Sequence, residues 1–221
     1  VNRYPSLPYI APFAVFMGFL ALRSVAPLPE LAEQILWLAL TAAVLIFVSR
    51  SVIDLRPSRF WVSVALGVAV FVLWIGPDLI STSYRHFWLF TNPVTGAPKS
   101  SLSDASKSDA LLLALRSARA IVIVPIVEEL FWRAWLMRWI VDPNFQKIPL
   151  GTYAPTAFWV VAALFASEHG PYWDVGLATG IVYNWWMVRT KSLGDLILTH
   201  AVTNACLCAY VIAAGKWEYW L

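Results

Sequence analysis

The chain has 221 residues, 60% of them hydrophobic and only 13% charged, with 13 tryptophans and a formal net charge of +3. Soluble domains carry roughly 25% charged residues, so this composition excludes a soluble globular protein and predicts an all-α, multi-pass transmembrane bundle. So small a basic excess does not mark a nucleic-acid binder; in a membrane chain Lys and Arg chiefly report topology. The lipid bilayer is an expected partner and nucleic acid is not.

Crossing the hydrocarbon core takes about 20 apolar residues per helix. Seven candidate stretches follow one another, at residues 8–26, 31–49, 60–80, 120–140, 155–172, 173–188 and 193–214. Residues 1–12 lack the basic start and cleavage site of a signal peptide, so the first stretch is expected to stay as a helix. Pro27 and Pro29 punctuate the first turn, Pro57 the second, and Pro143 with Pro149 the loop after the fourth helix. Residues 81–109 are polar and serine-rich and form the longest extramembrane loop. They separate three N-terminal helices (residues 1–80) from a four-helix part (110–221) of what is expected to be a single membrane domain, 1–221. Residues 110–119 read either as a helix at the interface or as a long lead into the fourth helix, which gives seven to eight helices. Cys206 and Cys208 lie two apart on a helix, on different faces, and are expected to be small packing residues rather than a disulfide.

The basic residues set an expected orientation. Arg50, Arg56 and Arg59 flank the second loop, Arg133, Arg138 and Lys147 follow the middle of helix four, and Arg189 and Lys191 precede helix seven. With seven spans these share a side with the N-terminus, which is then cytoplasmic. Arg23, Arg85, Lys99, Lys107 and Lys216 fall on the opposite side.

Three polar signatures interrupt the apolar C-terminal stretches, and they contain two of the chain's three histidines. Ionisable residues at membrane depth are costly and are usually kept for function. In the first signature Glu129 and Arg133 stand at i and i+4, the favourable order for an ion pair, while Glu128 is rotated by about 100° onto another face. Arg133 is thus expected to hold Glu129 and leave Glu128 free to face a cavity; a charge cluster without catalysis is the alternative. In the second, Phe165 and His169 are i and i+4, and Gly170–Pro171 directly after predicts that the helix ends or kinks at the histidine. In the third, His200 and Asn204 are i and i+4. Both can donate to an oxygen that becomes negative during reaction, or serve as polar glue between helices.

The three signatures together, in this order, resemble the CAAX prenyl endopeptidase and bacteriocin-processing (CPBP, Abi) family of glutamic intramembrane proteases. The resemblance covers roughly residues 120–214, and all three motifs agree without substitution. The tryptophan-rich context and small size also resemble, more weakly, a bacterial CAAX protease-related branch. The resemblance implies a hydrolase with a buried polar active-site cavity in a bacterial inner membrane, acting on a membrane-associated, possibly lipidated, protein or peptide. It implies Glu128 as the base that activates water, His169 sharing its orientation or proton, and His200 with Asn204 at the oxyanion. Glu129, Arg133 and Phe165 would support them. It further implies no cofactor and a metal-free reaction, although Glu128, His169 and His200 could between them supply three ligands. A catalytically silent chaperone, regulator or immunity protein of the same fold is the alternative; a proton-coupled transporter would call for repeats of broken helices, and none is found.

Other polar residues carry weaker signals. His86, within Tyr84 to Trp88, reads as an interfacial anchor. Trp132, Trp135, Trp139, Trp185 and Trp186 read as core or lipid-facing rings. Asp174 and Asp195 lie at helix starts, where they offset the dipole. Asn184 reads as cavity lining or glue, and the role of Glu168 is open. If helix four begins at residue 120, Glu128 lies about 12 Å from its outer end, which places the site in the non-cytoplasmic half.

Overall fold

The computed structural model describes residues 4–26 and 28–220. Among these the regular elements are all helices, with no strand and one isolated bridge between Asn92 and Gly96. Its helices are α1 (Leu7–Val25), α2 (Glu30–Ser49), α3 (Phe60–Ile80), α4 (Ala110–Trp139), α5 (Pro155–Ser167), α6 (Trp173–Thr190) and α7 (Leu193–Ala214). Four of them, α2, α3, α4 and α7, are long and apolar enough to cross a membrane. The packing is that of a helical membrane bundle: Phe47, Trp61 and Ile80 lie on the outside, at 81%, 78% and 88% exposure, while Glu129, Arg133, Asn184 and Asp195 are wholly enclosed. In water that distribution would be strongly unfavourable.

Two elements refine the sequence expectation. Residues 110–119 are the long lead into the fourth helix, one of the two readings left open, so that α4 is an unbroken helix of 30 residues. It starts there because the Asp109 side chain caps it, accepting from the backbone N–H groups of Leu111 and Leu112. Glu128 therefore lies about 27 Å along the axis from Ala110 and about 17 Å from Trp139. It is nearer the end that carries Arg138 than the expected 12 Å spacing implied. His200 agrees, only about 10 Å into α7 from Leu193. The second difference is α5, which stops at Ser167 rather than running to residue 172. Pro171 disfavours the α conformation at the residue before it, and Gly170 takes φ +49°. With 13 residues α5 rises about 20 Å, too little to cross the core alone.

The helices around the polar signatures meet through small residues. On α3, a Cβ at Gly67 would come within 2.6 Å of the Thr199 carbonyl and 2.7 Å of Val202 Cβ, so only glycine lets α3 and α7 approach this closely. Thr203 on α7 donates to the Gly67 carbonyl at 3.0 Å. One turn into α7, Asp195 is fully buried and accepts from Ser58 N (2.9 Å), Ser58 Oγ (2.5 Å), Arg59 N (2.7 Å) and Ser63 Oγ (2.9 Å). Beyond offsetting the α7 dipole, this carboxylate ties the start of α7 to the start of α3.

Asp195→Ala leaves the buried Ser63 hydroxyl and three part-buried donors without their acceptor and is expected to cost about 3 kcal/mol. Asp195→Asn, which keeps an acceptor oxygen, should cost less. Thermal unfolding in detergent checks this ranking; equal midpoints for wild type and Asp195→Ala would show that the network contributes nothing.

Candidate active site

On α4, consecutive glutamates point to different places. Glu129 and Arg133 are completely buried and paired, with Nη1 at 3.2 Å from the carboxylate. A charge with no access to water needs partners supplied by protein, and beyond the pair itself those present come from three other helices. Arg133 Nε donates to Asn184 Oδ1 on α6 at 2.9 Å. The guanidinium carbon sits 4.3 Å over the ring of Phe165 on α5. Glu129 Oε1 also accepts from His200 Nδ1 on α7 at 2.8 Å. Asn184 in turn donates to the Phe158 carbonyl of α5 at 2.7 Å.

Glu128 is half-buried and turns away from this pair into a cavity of about 210 Å³. The same cavity is lined by His169, His200 and Asn204, together with Phe165, Glu168 and Tyr183. Glu128 Oε2 has no hydrogen-bond partner among the described residues. Two π-helical stretches, Arg119–Ile123 and Leu130–Leu136, bracket the glutamates; such insertions shift side-chain phase within a helix and recur at functional sites.

His169 stands beyond the end of α5, on the short turn that Gly170 and Pro171 impose. Its Nδ1 lies 2.8 Å from the Phe165 carbonyl. A carbonyl oxygen only accepts, so Nδ1 carries the hydrogen and Nε2 of the neutral ring keeps its lone pair. The ring is wedged between Phe165 at 4.8 Å and Trp74 of α3 at 5.3 Å. Gly176 of α6 backs it: a Cβ there would sit 3.1 Å from His169 Cγ.

His200 is held by the same logic. The Glu129 carboxylate accepts from Nδ1, so a neutral His200 presents only an acceptor at Nε2, and it becomes a donor there as the imidazolium. Asn204 Nδ2 donates to the Ala120 carbonyl at 2.7 Å, within the first π-helical stretch. One amide hydrogen is thus committed to the backbone and the other remains for the cavity. Phe165, 1% exposed, lies 4.8 Å from the His169 ring and 6.4 Å from the His200 ring. The structure therefore brings Glu128, His169, His200 and Asn204 to one cavity, with Glu129 and Arg133 behind them and Phe165 between the histidines.

Further groups join them that the sequence had marked weakly or not at all. Glu168 accepts from Trp132 Nε1 at 3.2 Å and lines the cavity; Trp132 is one helical turn after Glu128, a spacing that could have flagged the pair. Asn184 is the partner of Arg133 rather than cavity lining. Tyr183, beside it, donates to Thr203 at 2.9 Å. Trp74, Tyr172 and Tyr219 close one end, and Tyr219 donates to Asp78 at 2.7 Å. Asp78 also pairs with Arg85, which reaches Asp174. So α3, which carries no signature, still supplies a wall of the cavity. His86 is exposed and outside it, Trp135 stacks near Trp139, and Trp132 and Trp186 are buried in the core. Cys206 and Cys208 are both free thiols.

Among the described residues no three His, Cys, Asp or Glu side chains are grouped to hold one metal ion, Glu128, His169 and His200 included. The arrangement offers instead an acceptor carboxylate and an acceptor imidazole on one side, and potential donors from His200 and Asn204 on another. No curated protein and no solved structure matches the chain. Residues 110–206, the part of the chain that carries the three polar signatures, match the model of the family described as type II CAAX prenyl endopeptidase Rce1-like.

Proposed function

We propose that this protein is a multi-pass membrane endopeptidase, in a bacterial inner membrane by its resemblance, that hydrolyses a peptide bond of a membrane-associated, possibly lipidated, substrate. The observation that carries the reading is that one cavity is lined both by Glu128, with an unbonded carboxyl oxygen, and by the His169 imidazole, whose Nε2 keeps its lone pair because Nδ1 donates to the Phe165 carbonyl. A water held by these two groups loses a proton to one of them as its oxygen bonds to the scissile carbonyl carbon. The carbonyl oxygen becomes an oxyanion, for which His200, as an imidazolium balanced by Glu129, and the second amide hydrogen of Asn204 are the donors. The carbon–nitrogen bond then breaks, and the proton taken from water passes to the leaving amine. At about 210 Å³ the cavity suits a water and the reacting amide, not a whole peptide.

Loss of either member of the water-activating pair should be severe. Glu128→Gln and His169→Ala are each expected to lower kcat/KM on a cleaved peptide by about 10² to 10⁴-fold, with unfolding midpoints near wild type. Screening prenylated and unmodified quenched peptides with protein in detergent, with and without chelator, provides the readout. Cleavage that survives both substitutions, or that a chelator abolishes, would sink this mechanism. No cleavage by well-folded wild type would favour a silent member of the family.

A second experiment separates support from chemistry. Glu129→Ala or Arg133→Ala strands a buried charge and should cost about 3–5 kcal/mol. The paired replacement Glu129→Leu with Arg133→Met removes both charges and should regain most of that stability. Cleavage should nonetheless stay low, because His200 has lost the carboxylate that fixes its Nδ1 proton. A double variant as active as wild type would reduce the pair to packing.

A further inference from the structure

A second, larger recess lies on the opposite side of α4 from the cavity just described. It measures about 660 Å³ and shares no lining residue with the Glu128 cavity. Its floor is Leu45 of α2 with Ile123 and Ile126 of α4, all buried; Ile46 and Leu55, more than half exposed, form its outer walls. Ile126 precedes Glu128 by two residues, about 200° around a helix, which is why the two recesses back onto different helices. The α2 wall is the π-helical stretch Leu45–Ser49.

The charge at its rim is specific. Arg50 and Arg56 line the recess and are exposed, and neither side chain has an ion-pair partner among the described residues. The one acid there, Asp54, accepts from the backbone N–H of Arg56. Of the cations at the other end of the bundle, Arg23, Arg85, Lys107 and Lys216 are each paired with a carboxylate. Beside the recess, Phe60 and Trp61 are exposed at the start of α3, where aromatic rings mark the level of lipid headgroups. The recess therefore joins an apolar trough at acyl-chain depth to two unpaired guanidiniums at headgroup depth.

We propose that this recess binds an anionic phospholipid, its phosphate between Arg50 and Arg56 and an acyl chain along Leu45, Ile123 and Ile126. A zwitterionic lipid fits the trough equally well but carries a cation that the arginines repel. A lipid chain attached to a substrate fits it poorly, because the recess opens away from Glu128.

The test compares phosphatidylglycerol with phosphatidylcholine of the same acyl chains, titrated onto the full-length protein in detergent and read by native mass spectrometry. Each arginine near the headgroup is worth about fivefold in affinity, so phosphatidylglycerol should bind roughly 25-fold more tightly. Arg50→Gln with Arg56→Gln should bring the two lipids within about threefold of each other, whereas Arg50→Lys with Arg56→Lys should retain the preference. Ile126→Trp, which fills the trough, should weaken both lipids together; its unfolding midpoint shows whether the fold is kept, and the exposed arginine variants stand independently of it. No preference for phosphatidylglycerol, a preference unchanged in the double Gln variant, or its displacement by a farnesylated peptide would overturn the proposal.

Discussion

The buried Glu129–Arg133 pair is the interaction on which the C-terminal half is organised. Neither side chain has any access to water, so each fixed charge has to be answered from neighbouring helices. Asn184 answers from α6, the face of Phe165 from α5 and His200 from α7. In a bilayer, apolar faces alone give helices little reason to choose one partner over another, because lipid tails are equally good company. A buried ion pair with directional partners supplies that choice: only one set of rotations about α4, α5, α6 and α7 satisfies it. As elsewhere for buried pairs, its contribution is better read as specificity than as net stability.

The same constraint explains the histidines. Each is fixed at Nδ1 by an oxygen that can only accept, the Phe165 carbonyl for His169 and the Glu129 carboxylate for His200. Identical rings thereby acquire different surroundings. His169 is fixed by a neutral carbonyl and His200 by a carboxylate. That division follows from what lies behind each ring, which is why residues that never touch a substrate can still set the chemistry.

Much of this was legible in the sequence because the decisive contacts are local. The i, i+4 spacings of Glu129 with Arg133 and of Phe165 with His169 put those groups together on any helix, and the hydrophobic runs made the helical membrane bundle unavoidable. What was not legible depended on capping and tertiary contact. Helix α4 begins at residue 110 because one aspartate side chain caps it, and ten residues of displacement moved the apparent depth of Glu128 along the axis. Helix α5 ends early because the Gly170–Pro171 constraint acts before His169 rather than after it. Glu168 was ambiguous since its meaning rests on Trp132 of another helix. The contribution of Trp74 left no signature, since its place beside His169 depends on how α3 seats against α7 at Gly67.

The irregularity of α4 reconciles these demands. A regular helix that turned Glu129 and Arg133 inward would still have to present Glu128 to one cavity while burying Ile123 and Ile126 against α1 and α2. It would also have to accept the Asn204 amide from α7. The carbonyl that accepts it, Ala120, lies within the π-helical stretch Arg119–Ile123, where the altered winding sets the direction in which that oxygen points. The Asn204 side chain is thus held by an irregular stretch of the helix that carries Glu128. A regular α-helix through Arg119–Ile123 would have a different phase, and with it a different direction for the Ala120 carbonyl and for Glu128, so the distortion belongs to the site as much as the side chains do.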